Sequence, residues 1–383
     1  MQKKVIAAAV AGAFALPAAT MAASTVNVYG NMYMEYSFVS QGANPTNTTD
    51  PANVDVLQTP GSAIGFKGEE KLGGGMSAWF QCESTADPRG ISQNGFCGRN
   101  SAVGLKGGFG NFFVGNWDTP FKRARVGNTG GRDTGVFGTS FLLYGQSTTV
   151  TDGANTGVFA RRQRNSINYD SPKFGGFQFM GSFSSTNSST ATTTTSAGAK
   201  PRTWSLAGVY KKGPMDLGFG YQKHSKMVGA NGAPGAFNGD ETGYHLSGAY
   251  KFGNVKVGGA YTKQSAEVAA GTKADVKAYH LGAEIGLGGP HNLHIGYTRA
   301  DDMKGPASAA LSTRRPAATG LSNTGARLWQ IRYVHNFSKR TYGSVGYVQL
   351  KNDTAAGYDL GGLSGTAAGA KQSAVAFNIG HKF

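Results

Sequence analysis

The residues with the most chemical potential stand in "FARRQRNSINYDSPKFGGF", which groups Arg161, Arg162 and Arg164. A guanidinium is permanently charged and presents a planar fork of donors, so clustered arginines suit the attraction of anions. The chain then alternates polar and apolar residues. Strict alternation places Arg162, Arg164, Ser166, Asn168 and Asp170 on one face, and Ile167 and Tyr169 on the other. Arg161 falls on the opposite parity to its two neighbours. Nothing points to catalysis: the sequence has no GxxxxGK[ST], HExxH or GxSxG motif. The 7 histidines are scattered, and His245 and His294 alternate onto polar faces, where they read as solvated side chains. The expectation is a non-enzyme with no metal and no cofactor.

The N-terminus reads as an export signal. Lys3 and Lys4 precede the apolar run "VIAAAVAGAFALPAAT", and the small residues Ala22 and Ala23 offer a cleavage site. Residues 1–22 are therefore expected to be removed, leaving residues 23–383 as one domain. Without those two lysines the formal charge is 37 − 2 − 21 = +14. In an exported chain such a balance suits small anions or acidic surface groups rather than nucleic acid. An exported chain also meets an oxidising compartment, so Cys82 and Cys97, the only two cysteines, are expected to form a disulfide, with two free buried thiols as the alternative.

Period-two alternation is the dominant pattern elsewhere. "TVNVYGNMYMEYSF" sets Val26, Val28, Met32, Met34, Tyr36 and Phe38 against Asn27, Asn31, Glu35 and Ser37. About 16 such segments run from 25–38 to 373–383, with no comparable helical periodicity. Short connections such as "SPKFGG", "KKGP" and "GGP" alternate with long polar ones. An open sheet of this width would leave two edges and one apolar face uncovered. Closure removes the edges and turns the apolar face to lipid. The expectation is an all-β fold: a transmembrane up-and-down antiparallel β-barrel of about 16 strands. Its polar inner face implies a water-filled lumen. The longest connection, about 117–163, is the one to fold inward and narrow it. Trp79, Trp117, Trp204 and Trp329 fall near strand ends, as an interfacial girdle requires.

Five segments in order carry a family resemblance. "TVNVYG", "GFKGEEKLGGGMSAWFQCES", "GRNSAVGLKGGFGNFFVGN", "RQRNSINYDSPKFGGF" and the terminal "AFNIGHKF" resemble the trimeric general porins of Gram-negative bacteria, especially the betaproteobacterial type. The resemblance implies an outer-membrane location, a homotrimer and a third loop folded into the pore. It also implies lipopolysaccharide and outer-membrane lipid as surroundings, and a C-terminal Phe383 read by the barrel-assembly machinery. The family's constriction sets wall arginines against acidic residues of the third loop. Arg162 and Arg99 match two of those arginines. Ala63 stands where a third is usual, and Arg164 offers a substitute. Asp133, in "GGRDTG", is the acidic candidate on the loop. The function implied is passive diffusion of small hydrophilic solutes and ions, with anions preferred. A substrate-specific anion channel, or a surface adhesin without conductance, are the alternatives.

Overall fold

The computed structural model describes residues 25–42, 53–90, 95–132, 134–145, 159–185, 202–228, 239–269, 271–305, 322–361 and 368–383. Its strands are β1 (Thr25–Ser40), β2 (Val54–Gln58), β3 (Ala63–Gly73), β4 (Met76–Thr85), β5 (Ser101–Gly107), β6 (Gly110–Asp118), β7 (Arg162–Asp170), β8 (Phe177–Ser185) and β9 (Arg202–Lys212). They continue with β10 (Met215–Val228), β11 (Gly239–Phe252), β12 (Val255–Ala269), β13 (Thr272–Gly288), β14 (His291–Ala300), β15 (Ala326–Asn336), β16 (Thr341–Asn352) and β17 (Lys371–Lys382). Two short helices, α1 (Pro120–Arg123) and α2 (Ser140–Tyr144), lie between β6 and β7. No helix among the described residues is long and apolar enough to cross a membrane.

All strand pairings are antiparallel, β3 to β16 each pair with the next strand in sequence, and β1 closes the ring by pairing with β17 from Asn31↔Lys382 to Ser40↔Ser373. The other edge of β1 is shared. Its first half pairs with β3 and its second half with β2. β2 and β3 are therefore one stave broken at Thr59–Ser62, and the barrel has 16 staves. The alternation signal for this stave begins only after Pro60 and Gly61, because proline cannot donate to a ladder.

Alternation turns Val28, Phe38, Phe66, Phe112, Ile167, Leu206, Leu246, Leu281, Ile331 and Ile379 outward, all exposed. Such a face is stable in lipid, where the closed ladder also pairs every strand's backbone groups. Short turns gather at one rim: Gly74–Gly75, 108–109, 213–214, 253–254 and 289–290. Phe383 joins that rim by exchanging backbone hydrogen bonds with Gly30 (3.1 and 3.2 Å). One connection at the opposite rim differs from expectation. β12 and β13 run on through residues expected to form a long loop, and they turn tightly at Gly271, whose φ is +70°. Cys82 and Cys97 are bonded to each other.

The inner face is not uniformly polar. Leu328, Val348, Leu350, Ala326, Ala374 and Ala376 point inward and are buried under Val136, Phe137, Leu142, Leu143, Tyr144 and Phe159 of the long 119–161 connection. Ala356, Tyr358 and Leu360, between β16 and β17, join the same cluster. An apolar patch on the lumen wall is stable because inward-folded chain removes it from water.

Candidate functional site: the lumen and its inward-folded loop

The 119–161 connection leaves β6 through α1, whose N-cap Thr119 accepts from the Lys122 amide and whose first residue is Pro120, a residue suited to that position. The loop then follows the inner wall, held by a series of wall side chains. Phe121 N donates to Ser205 Oγ (2.9 Å), and Val126 N donates to Ser247 Oγ (3.2 Å). His245 Nε2 donates to the Ala124 carbonyl (2.9 Å), so its Nδ1 accepts from the Tyr144 hydroxyl (3.2 Å). His280 Nε2 donates to the Thr129 carbonyl (2.9 Å). The Leu143 carbonyl accepts from Thr262 Oγ1 and Gln264 Nε2, both at 2.7 Å. Near the tip, Val136 N donates to the buried carboxylate of Glu35 (2.9 Å), which also accepts from Tyr33 and Gln58.

Wall glycines set how closely the loop lies. A Cβ on Gly218 would strike the Ala124 carbonyl, and one on Gly282 would strike the Thr129 carbonyl. Period-two alternation through "LGFG" and "HLGAE" carries no sign of this close approach. It also reads His245 as solvated, whereas the side chain is buried and works as a loop anchor. Periodicity gives the face of a residue; it does not say that another segment covers that face.

The charged groups of the lumen fall into two sets. On one wall, Arg162 Nε donates to Asn100 Oδ1 (2.6 Å) and lies 3.4 Å from Asp118, which also pairs with Lys122 (2.8 Å). Arg99 pairs with Glu83 (2.7 Å), which accepts from the Tyr29 hydroxyl (3.2 Å), and Arg123 holds Asp170 through two guanidinium nitrogens. Near β1 and β15, Arg132 of the loop stacks over Tyr33 at 4.0 Å, and Arg332 donates to His294 Nδ1 (3.1 Å). Lys122, carried on the loop, has its pKa lowered by burial, with Arg125 and Arg162 adding to the effect and Asp118 opposing it.

The arginines of the opening motif separate. β6 and β7 slip register between Gly115↔Ser166 and Trp117↔Gln163, and Asn165 takes a φ of +52°. This bulge breaks the alternation expected from sequence. Ser166, Asn168 and Asp170 keep the inner face, Gln163 is buried against Thr203 and Ser184, and Arg164 is exposed apart from Arg162. Arg161, expected on the other parity, is buried. Arg99 lies just before β5, outside its alternation. Ala63 is buried at the start of β3 and supplies no cation. Asp133 lies outside the described residues, as do residues 1–22.

The Gram-negative porin family model matches residues 7–355. The chain belongs to the Gram-negative porin family. This porin is 26% identical over 394 residues to outer membrane porin protein 32 of Delftia acidovorans, covering 100% of both chains. It is 33% identical over 181 residues to major outer membrane protein P.IB of Neisseria gonorrhoeae, covering 46% of each. Among solved structures, the porin's fold is similar to an anion-selective porin from Comamonas acidovorans (TM-score 0.73, 24% identity, 94% of this chain and 100% of that one). It is also similar to the trimer form of OmpT from Vibrio cholerae (TM-score 0.65, 14% identity, 94% and 100%). As a member of this family with a closed, lipid-facing barrel, the porin is a channel of the Gram-negative outer membrane.

Proposed function

We propose that the porin conducts small hydrophilic solutes by passive diffusion and prefers anions. One observation carries the preference: the loop that narrows the lumen is itself basic, with Lys122, Arg123, Arg125 and Arg132, and it faces wall cations Arg99, Arg162 and Arg332. These cations outnumber the carboxylates paired with them, Glu83, Asp118 and Asp170, and an excess of fixed charge of one sign in a narrow channel with low-dielectric walls concentrates the opposite ion. The solved neighbour described as anion-selective supports the same reading. Arg99 and Arg162 act as the basic wall in this proposal, with Arg332 taking the part that Ala63 leaves empty. The neighbour solved as a trimer supports a homotrimer. Cleavage of residues 1–22, contact with lipopolysaccharide, recognition of Phe383 during barrel assembly and an acidic role for Asp133 belong to the same reading and rest on the family resemblance. The experiment is reversal potential of purified protein in a planar bilayer under a salt gradient. A potential of anion-selective sign is expected. A cation-selective one overturns the preference and leaves the porin identity standing.

A further inference from the structure

Two of the four tryptophans do not belong to an interfacial girdle. Trp204 and Trp329 are exposed on the outer face. Trp79 and Trp117 face the lumen instead, in edge contact with each other (centroids 5.7 Å) and packed on the buried ring of Phe113 (5.4 and 5.2 Å). Gly104 makes room for them: a Cβ there would sit 2.6 Å from Phe113 Cβ and 2.7 Å from Trp79 Nε1. Trp79 is fixed by donating to Asn111 Oδ1 (2.7 Å), yet both indoles stay partly exposed. Apolar rings left open to a water-filled channel have unspent stacking surface.

Cations border the patch. Lys67 is exposed, lies over the Tyr29 ring at 5.0 Å, and has no carboxylate partner among the described residues. Its register partner Gln81 is two residues from Trp79 on the same face, about 7 Å along the strand. Trp117 adjoins Asp118, where Lys122 and Arg162 converge. Glu69, opposite Trp79 in the ladder, is occupied by Lys106. We propose that Trp79 and Trp117, with Lys67, form a binding subsite in the pore for small aromatic carboxylates. The ring stacks on the indoles while the carboxylate meets the lysine. The inference rests on the anion-preferring reading and narrows it to a class of solute.

The test is block of chloride conductance in planar bilayers by benzoate, by cyclohexanecarboxylate and by benzyl alcohol. Benzoate should half-block at a concentration about tenfold below that of cyclohexanecarboxylate, which matches its charge and size without the π face. Benzyl alcohol should block more weakly than benzoate. Trp117→Leu and Trp79→Leu should each bring the two carboxylates together, and Lys67→Gln should weaken benzoate block. Equal block by the two carboxylates in the unaltered protein overturns the inference whether or not the variants fold. So does equal block by benzyl alcohol, or folded tryptophan variants that keep the preference. The reversal potential in the same membranes tests the anion reading separately.

Discussion

At the scale of single residues, the arginines of the opening motif divide by their surroundings rather than by their spacing. Arg162 is buried beside Asn100 and Asp118, whereas the bulge at Asn165 leaves Arg164 exposed. Arg162→Gln should therefore reduce the anion-selective reversal potential, and Arg164→Gln should change it much less; equal effects would mean that the bulge does not separate them. Lys122 gives a pH dependence. A lysine is cationic below its pKa, and burial lowers that of Lys122, so its charge is lost at lower pH than in an ordinary lysine near ~10.4. Anion preference should begin to fall below that range as pH rises, and Lys122→Arg should postpone the fall. A selectivity curve identical in the arginine variant would exclude Lys122 as its source. Little of this was legible beforehand. The types and order of the arginines were, but the extra residue at Asn165 reverses Gln163 and Arg164 relative to Ser166, Asn168 and Asp170, and alternation alone carries no sign of it.

At the scale of elements, the inward loop is held by the wall more than by itself. α1 and α2 are too short to be stable alone. Their positions come from Ser205, His245, Ser247, Thr262, Gln264, His280 and Glu35, each bond contributing about 0.5–1.5 kcal/mol net. Gly282→Val adds bulk where the Thr129 carbonyl lies. It should displace the loop, change single-channel conductance and expose residues of the 119–161 segment to protease, while far-UV circular dichroism keeps its strand signal. Unchanged conductance and protection would show that the loop does not depend on this close approach. The sequence did announce a long loop and its inward course, through length and through the need to fill a wide barrel. It did not announce the anchors, because His245 or Gly282 on an inner face looks the same whether water or chain covers it. Trp79 misled for the same reason: proximity to a strand end suggested a girdle, but parity relative to Glu69 and Gly104 turns it inward.

At the scale of the molecule, the barrel was the most legible feature. Outward residues repeat at every second position over long strands, and the turn-rich short connections recur at one rim. The break at Pro60 hid β2, and continuous alternation hid nothing in β12 and β13 except their length. If the apolar face meets hydrocarbon, Leu206→Lys, at an exposed outward position midway along β9, should destabilise the folded protein in lipid vesicles by ~2–4 kcal/mol, read from denaturant unfolding. A neutral result would place that face outside the bilayer core.

The pairing of β1 with β17 has a consequence for how the chain comes into being. The first strand cannot find its second partner until the last residues have been made and delivered, since Asn31 meets Lys382. Until then the growing sheet carries two open edges and an uncovered apolar surface, a state prone to sticking to other chains. Contacts so distant along the chain also form slowly. A protein built this way has its most hazardous interval before it reaches the bilayer, and its survival there depends on how quickly the ring is shut.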